Sequence, residues 1–225
     1  MLEKLASLIF YFLKPIYAFE HRKRIHIGTC VLFEISGKHF LITAAHVLAQ
    51  RSAIQLYLQN LPLRGGYWTA THQDPDFAVY EMSYEEINAL SDCKFFSETL
   101  IDGPPIKQGK ACQLLGYPVS KNKNFINSDE EVCPEIRLVE TRVATSDNSN
   151  INCEYYFWVE YQKNLFSPQG MSGGLIATLD ISQVPRLQIL GMPIEYDKRK
   201  TAIKCVRYQL IVNSVQRILG EQSNK

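Results

Sequence analysis

Ser172 stands in the run Gly170-Met171-Ser172-Gly173-Gly174, a GxSxG arrangement whose small neighbours let a serine sit on a tight turn with its backbone exposed. A serine hydroxyl is a weak nucleophile at its free pKa, and it needs a base within hydrogen-bond reach, most often a histidine that a carboxylate orients. All five histidines, His21, His26, His39, His46 and His72, precede Ser172. An α/β-hydrolase needs the order Ser, Asp, His, so that fold is excluded as the source of a Ser172 triad. No aspartate lies before His46, the first being Asp74, so the order Asp, His, Ser fails for His46 as well. The order His, Asp, Ser survives.

Three groups this far apart in sequence need a rigid scaffold to bring them together. Short β-branched or aromatic runs punctuated by turn residues recur along the chain, with no internal repeat and no Ser/Gly linker. The candidate strands are His26 to Ile35, Phe40 to Thr43, Ala53 to Leu58, Phe77 to Met82, Ala111 to Leu115, Ile136 to Thr145, Tyr155 to Tyr161, Leu175 to Leu179, Leu187 to Ile194 and Ala202 to Val212. Ser36-Gly37-Lys38 reads as a hairpin turn. Arg64-Gly65-Gly66 and Asp102-Gly103-Pro104-Pro105 are further breaks, and the second separates two groups of strands. The expected class is all-β, with one β-domain over residues 20–105 and a second over 106–212. The apolar run Leu5 to Leu13 predicts a helix within residues 1–19. Val215, Ile218 and Leu219 predict a C-terminal helix and tail over 213–225, docked on the second domain.

Composition bounds the function. The chain has 225 residues, 24 basic against 23 acidic, for a formal net charge of +1, which is no electrostatic footprint for neutralising many phosphates. Nucleic acid is not an expected partner. Arg22-Lys23-Arg24 and Lys198-Arg199-Lys200 read as solvated loops. Cys30, Cys93, Cys112, Cys133, Cys153 and Cys205 contain no CxxC pair, so neither a zinc knuckle nor a redox motif is expected, and isolated buried thiols fit a reducing compartment. No metal and no cofactor are expected. Leu5 to Leu13 is too short to span a bilayer, so stable membrane insertion is not expected. The chain is read as cytoplasmic, the alternative being export if residues 1–18 are a signal peptide.

Leu41-Ile42-Thr43-Ala44-Ala45-His46-Val47 resembles the TAAH segment that holds the catalytic histidine of trypsin-like (chymotrypsin-fold) serine peptidases. Asp76-Phe77-Ala78-Val79 resembles that family's aspartate segment, and Gly170 to Gly174 its GxSGG nucleophile loop. Gly28-Thr29 and the Gly116-Tyr117-Pro118 turn are similar to bacterial members, and the likeness runs from about Ile25 to Val212. The resemblance implies two Greek-key six-stranded β-barrels, the first carrying His46 and Asp76 and the second Ser172. It implies a serine endopeptidase acting through an acyl-enzyme. Ser172 would attack the scissile carbonyl, His46 would take its proton and return it to the leaving amine, and Asp76 would hold the His46 tautomer. The N–H groups of Gly170 and Ser172 would form the oxyanion hole. Asp76 is preferred to Asp74 because it directly precedes the apolar Phe77, Ala78 and Val79, whereas Asp74 sits before Pro75 in a turn.

The chain departs from secreted digestive members in two ways. Met171 stands where they carry an aspartate before the serine, so activation by N-terminal insertion is not expected. Val47 follows His46 where they carry a cysteine, so Cys30 lacks that disulfide partner. Both departures resemble intracellular or HtrA-like bacterial peptidases, although no PDZ domain is expected after Val212, and the resemblance is to a bacterial stand-alone type. Phe166 matches the floor of the primary specificity pocket and Ile194-Glu195-Tyr196 its wall. An aromatic floor argues against a deep carboxylate pocket for Arg or Lys, while Glu195 at the rim would attract a basic residue. The backbone of Ile194 to Tyr196 would pair with an extended substrate. The expected partners are a protein or peptide substrate and a regulatory protein, by analogy with effector proteases of bacterial regulatory or defence systems. The alternative is a catalytically silent peptide-binding or scaffold module of the same fold, and a third reading is an esterase.

Overall fold

The computed structural model describes residues 9–20, 23–49, 55–64, 67–69, 75–90, 93–101, 106–122, 134–144, 154–162, 165–180 and 186–223. Its elements in chain order are β1 (Leu13–Glu20), β2 (Lys23–Ile35), β3 (Lys38–Thr43), α1 (Ala45–Ala49), β4 (Leu56–Leu58), β5 (Leu61–Pro62), β6 (Tyr67–Thr69), β7 (Ala78–Glu81), α2 (Tyr84–Ala89), β8 (Phe96–Ser97), β9 (Ala111–Gly116), β10 (Arg137–Arg142), β11 (Tyr156–Glu160), β12 (Leu175–Asp180), β13 (Arg186–Asp197), β14 (Ala202–Arg207) and α3 (Tyr208–Ser223).

Two curled sheets divide these strands. The first runs β5-β4-β1-β2-β3-β7-β6 with β8 added in parallel along β2, and the second runs β10-β9-β12-β13-β14-β11. The bridge Val143↔Val159 brings β10 to β11, so the second set of strands closes in the ring β9-β10-β11-β14-β13-β12. In each sheet the fourth strand returns to lie beside the first: β4-β1-β2-β3 in one, β12-β9-β10-β11 in the other. That spatial order is a Greek key, present twice. The expected pair of β-domains is what the chain forms. The first sheet has eight strands rather than six because the two-residue pieces β5 and β8 are added at its flanks.

Period-two patterning sets the cores. Cys112, Leu114, Ile176, Leu190, Ile203 and Cys205 point into the second barrel. Their neighbours Leu115, Leu175, Ala177, Ile189 and Val206 point the other way, into a larger core continuous with the first barrel. Each fully buried Leu, Ile or Phe there is worth about 1.5–3 kcal/mol, and the shared core fixes how the barrels meet. The hairpin at Ser36-Gly37 joins β2 to β3 with positive φ at both residues (51° and 74°), the two-residue turn whose twist matches flanking strands.

The structure corrects three expectations. Residues 1–19 are not a helix throughout: residues 9–12 are helical, but Leu13–Glu20 is β1, paired with both β2 and β4. Lys14, which marked the end of the apolar run, is 1% exposed, with its ammonium over the Phe10 ring at 4.7 Å. Pro15 is tolerated because β4 pairs only with Ile16 to Ala18, leaving that end of β1 an edge on one side. Second, the last strand stops at Arg207 and the terminal helix begins at Tyr208, not at 213. The buried Tyr208, Ile211, Val212, Val215 and Leu219 follow helical spacing. Third, that helix docks on both domains, since Tyr208 packs on Phe33 of β2 (ring centroids 5.1 Å) and Gln216 donates to Glu98 at 2.8 Å. The break at 102–105 lies outside the described residues. Among the described residues, no helix is long and apolar enough to cross a membrane.

Candidate active site

Strand pairing brings His46 and Asp76 together. β3 and β7 are antiparallel with Thr43 opposite Ala78, so the chain leaving β3 and the chain entering β7 emerge at one end of the sheet. His46 lies on α1 just past Thr43, and Asp76 sits in the turn closed by Phe77 N–H donating to Pro75 O at 2.7 Å. One Asp76 oxygen meets His46 Nδ1 at 2.6 Å, and the other accepts the His46 backbone N–H at 3.0 Å. This two-point grip fixes the ring's orientation and leaves Nε2 directed away from the carboxylate. Burial pushes the Asp76 carboxyl up, but hydrogen bonds from the His46 ring, its positive charge, and the backbone N–H groups of His46 and Ala45 outweigh that. The group is held below the usual carboxylate range.

The Ser172 loop is built from backbone. Gln169 O accepts Val119 N–H at 2.8 Å, Pro168 O accepts Met171 N–H at 3.0 Å, and Met171 O accepts Gly174 N–H at 2.9 Å. Ser172 O accepts Thr29 N–H at 2.9 Å, and Gly173 N–H donates to Pro193 O at 2.9 Å. Gly170 O accepts the Thr29 hydroxyl at 2.8 Å. With these groups pinned, the N–H groups of Gly170 and Ser172 are the loop's donors that have no acceptor among the described residues. They are the two donors the sequence singled out.

Gly170 holds φ +90°, and a Cβ there would meet Val119 Cγ2 at 2.7 Å. Gly173 holds φ +85°, and its Cβ would lie 2.0 Å from Thr29 O and 2.2 Å from Thr43 Oγ1. The Ser172 loop is therefore seated directly on Thr29 and on Thr43, the end of the strand that leads into His46. The Ser172 hydroxyl donates to Ile194 O at 3.2 Å, and no hydrogen bond joins it to His46 among the described residues. Ile194 falls at a β-bulge, where the β13–β14 register shifts between Pro193 and Glu195.

The other sequence candidates separate into two groups. The half-buried Phe166 has its backbone carbonyl bonded by the Tyr161 hydroxyl at 2.6 Å, the Tyr161 ring meets Tyr196 edge-on at 5.4 Å, and the Phe166 and Tyr196 side chains both pack against the core of the second barrel. Burial pushes the Tyr161 phenol up to about 12, with Tyr196 adding to it. The exposed Glu195 sits opposite Lys204, whose ammonium lies over the Tyr156 ring at 4.0 Å. Beyond Gly191, β13 pairs with no strand but β14 among the described residues, and on its other edge Pro193 O and Ile194 O accept the Gly173 N–H and the Ser172 hydroxyl.

His26 is buried with Nε2 against Gly28 O at 2.8 Å, and His39 packs edge-on against Phe95 at 4.4 Å; neither joins the site. His21, His72 and Asp74 lie outside the described residues. Cys30, Cys112 and Cys205 are buried free thiols, and no group of three metal-ligating side chains occurs among the described residues. Thr29, Val119 and Tyr117 received no role from the sequence, although Gly28-Thr29 and Gly116-Tyr117-Pro118 were the motifs that contain or adjoin them.

No family model matches the chain, and no curated protein matches it. Among solved structures, one chain comes from a study titled as showing that aromatic interactions drive the coupled folding and binding of the intrinsically disordered Sesbania mosaic virus VPg protein. It superposes with a TM-score of 0.50 at 14% identity, over 91% of this chain and 95% of that one. At that identity the likeness speaks to fold alone. The two curled sheets are consistent with a chymotrypsin-like fold.

Proposed function

We propose that the chain is a serine endopeptidase of trypsin-like type that cleaves a protein substrate through an acyl-enzyme. The observation that carries this reading is the pair of hydrogen bonds that Asp76 makes with the His46 ring and backbone, at the same barrel seam as a glycine-bounded serine loop with two N–H donors unclaimed among the described residues. In the proposed reaction His46 Nε2 takes the Ser172 proton as Oγ attacks the scissile carbonyl, and the Gly170 and Ser172 N–H groups receive the developing oxyanion. His46 then protonates the leaving amine, and water repeats the sequence on the acyl-enzyme. Asp76 holds Nδ1–H throughout and stabilises the imidazolium. The edge of β13 from Ile194 to Tyr196, which no strand other than β14 covers among the described residues, would bind the substrate backbone as an added strand once the Ser172 hydroxyl leaves Ile194 O, with Phe166 and Tyr196 favouring an apolar residue before the scissile bond and Glu195 a basic one at the rim. A regulatory protein partner and a cytoplasmic setting belong to the same proposal, as does a role as an effector of a bacterial regulatory or defence system.

One observation favours a second reading, a catalytically silent peptide-binding module: the Ser172 hydroxyl is bonded to Ile194 O, not to His46. Reaction with a fluorophosphonate probe, followed by intact mass, separates the two. Under the peptidase reading wild type is labelled while Ser172→Ala and His46→Ala are not. A folded wild type that stays unlabelled would support the binding module.

A further inference from the structure

Thr29 is fully buried at the seam, where β2 outruns β3: the β2–β3 ladder begins only at Val31↔Ile42, so the Thr29 backbone groups on that side are not used by the sheet. They are used by the site. Its N–H donates to Ser172 O at 2.9 Å, and its carbonyl accepts the Thr43 hydroxyl at 2.7 Å. Its own hydroxyl donates to Gly170 O at 2.8 Å and accepts Tyr117 N–H at 3.0 Å. One residue of the first barrel thus grips both sides of the Gly170–Ser172 loop of the second, and does so from the strand that also holds Thr43, just before His46.

We propose, resting on the peptidase reading, that Thr29 is a positioning residue: its hydroxyl and N–H together set the direction of the Gly170 and Ser172 N–H groups and the separation of Ser172 from His46. A hydroxyl is the side-chain group that can both donate to Gly170 O and accept from Tyr117 N–H. Valine has nearly the same shape and can do neither, and it would leave both backbone groups buried and unpaired. A peptide plane so released turns with its neighbours, and a misplacement of about 1 Å in a catalytic constellation costs on the order of 100-fold in rate.

The test compares wild type, Thr29→Val and Thr29→Ser by fluorophosphonate inactivation rate, by kcat and KM on a peptide ester, and by the Gly170 and Ser172 amide resonances in 15N-labelled protein. The proposal expects Thr29→Val to lose roughly 10- to 100-fold in inactivation rate and in kcat, with KM nearly unchanged and both amide resonances displaced. Thr29→Ser, which keeps the hydroxyl, recovers most of the rate. A Thr29→Val protein that melts earlier yet turns over at the wild-type rate per folded molecule overturns the proposal, because the hydroxyl would then serve stability alone. If wild type itself is not labelled, the peptidase reading falls, and the amides still judge Thr29: resonances unmoved in Thr29→Val overturn its positioning role independently.

Discussion

The two barrels share one strand order but supply the site in different currencies. The first contributes side-chain chemistry: a half-exposed imidazole and a carboxylate joined at 2.6 Å on a short helix and a turn. The second contributes backbone geometry: a loop in which Gly170 and Gly173 have positive φ and nearly every peptide group is tied to a neighbour. Substitutions in the first region should therefore change rate without changing fold, because the groups project into solvent and hold up little else. In the second, substitutions that move the backbone, as at Gly170 or Gly173, should change fold and rate together, because the same backbone atoms that present the donors also seat one barrel on the other.

Under the proposed peptidase reading, the largest effect would come from removing the groups assigned to the reaction. His46→Ala or Ser172→Ala is expected to lower peptidase kcat by about 10^6-fold, while thermal melting stays within about 0.5 kcal/mol of wild type. An equal loss of stability in His46→Ala would break the contrast, since it would make the first region structural too. Asp76→Asn comes next, at about 10^4-fold in kcat, because an amide no longer holds the required tautomer. It also carries a pH signature. The folded-state pKa of Asp76 is depressed, so its contribution to stability is present above the unfolded carboxylate pKa and is lost as pH falls through the folded value. The melting difference between wild type and Asp76→Asn should therefore be present at pH 7 and shrink as pH falls below the ordinary aspartate pKa of about 3.9. A difference that stays constant with pH would assign it to packing.

Gly173→Ala tests the other side of the comparison. A Cβ within 2.0 Å of Thr29 O cannot be accommodated by moving a flexible side chain, since the obstacle is backbone. The expected cost is about 3–5 kcal/mol, read as a melting temperature lowered by roughly 10 °C, with activity falling in parallel. A variant that melts like wild type would show the seam to be loose, and the rigidity argument for the donor loop would fail with it.

What the sequence could and could not reveal follows the same division. The pairing of His46 with Asp76 was legible because side-chain chemistry restricts residue type and order, whereas the hydrogen bond of the Ser172 hydroxyl to Ile194 O was not. All ten candidate strands have counterparts, because alternation of apolar residues is local. β1 was illegible because its burial is not local: Lys14 reads as a polar stop until Phe10 and the flanking strands cover it. The β14–α3 boundary was missed because Ile211 and Val212 suit a strand as well as a helix, and only docking on Phe33 and its neighbours decides. Thr29 was quoted within a motif and still lacked a role, since its four hydrogen bonds reach residues 14, 88, 141 and 143 positions away, which no window of sequence displays.

The smallest effect concerns where acid attacks. All five histidines lie within the first 72 residues of the chain. His26 couples to stability: burial lowers its pKa to about 4, against a partial opposing pull from the Gly28 carbonyl. Its folded pKa lies below the unfolded value of about 6.5, so the unfolded chain binds the proton first. Stability is fully present above about pH 6.5 and declines as pH falls from there towards 4, by about 2 kcal/mol between pH 7 and pH 5. His26→Gln should flatten that slope in a melting series and keep one ring-side hydrogen bond to Gly28 O. Hydrogen exchange at pH 5 should show β1 and β2 losing protection ahead of β9 to β14. If both barrels lose protection together, the core they share is strong enough to make them one cooperative unit, and the division of labour at the site has no counterpart in folding.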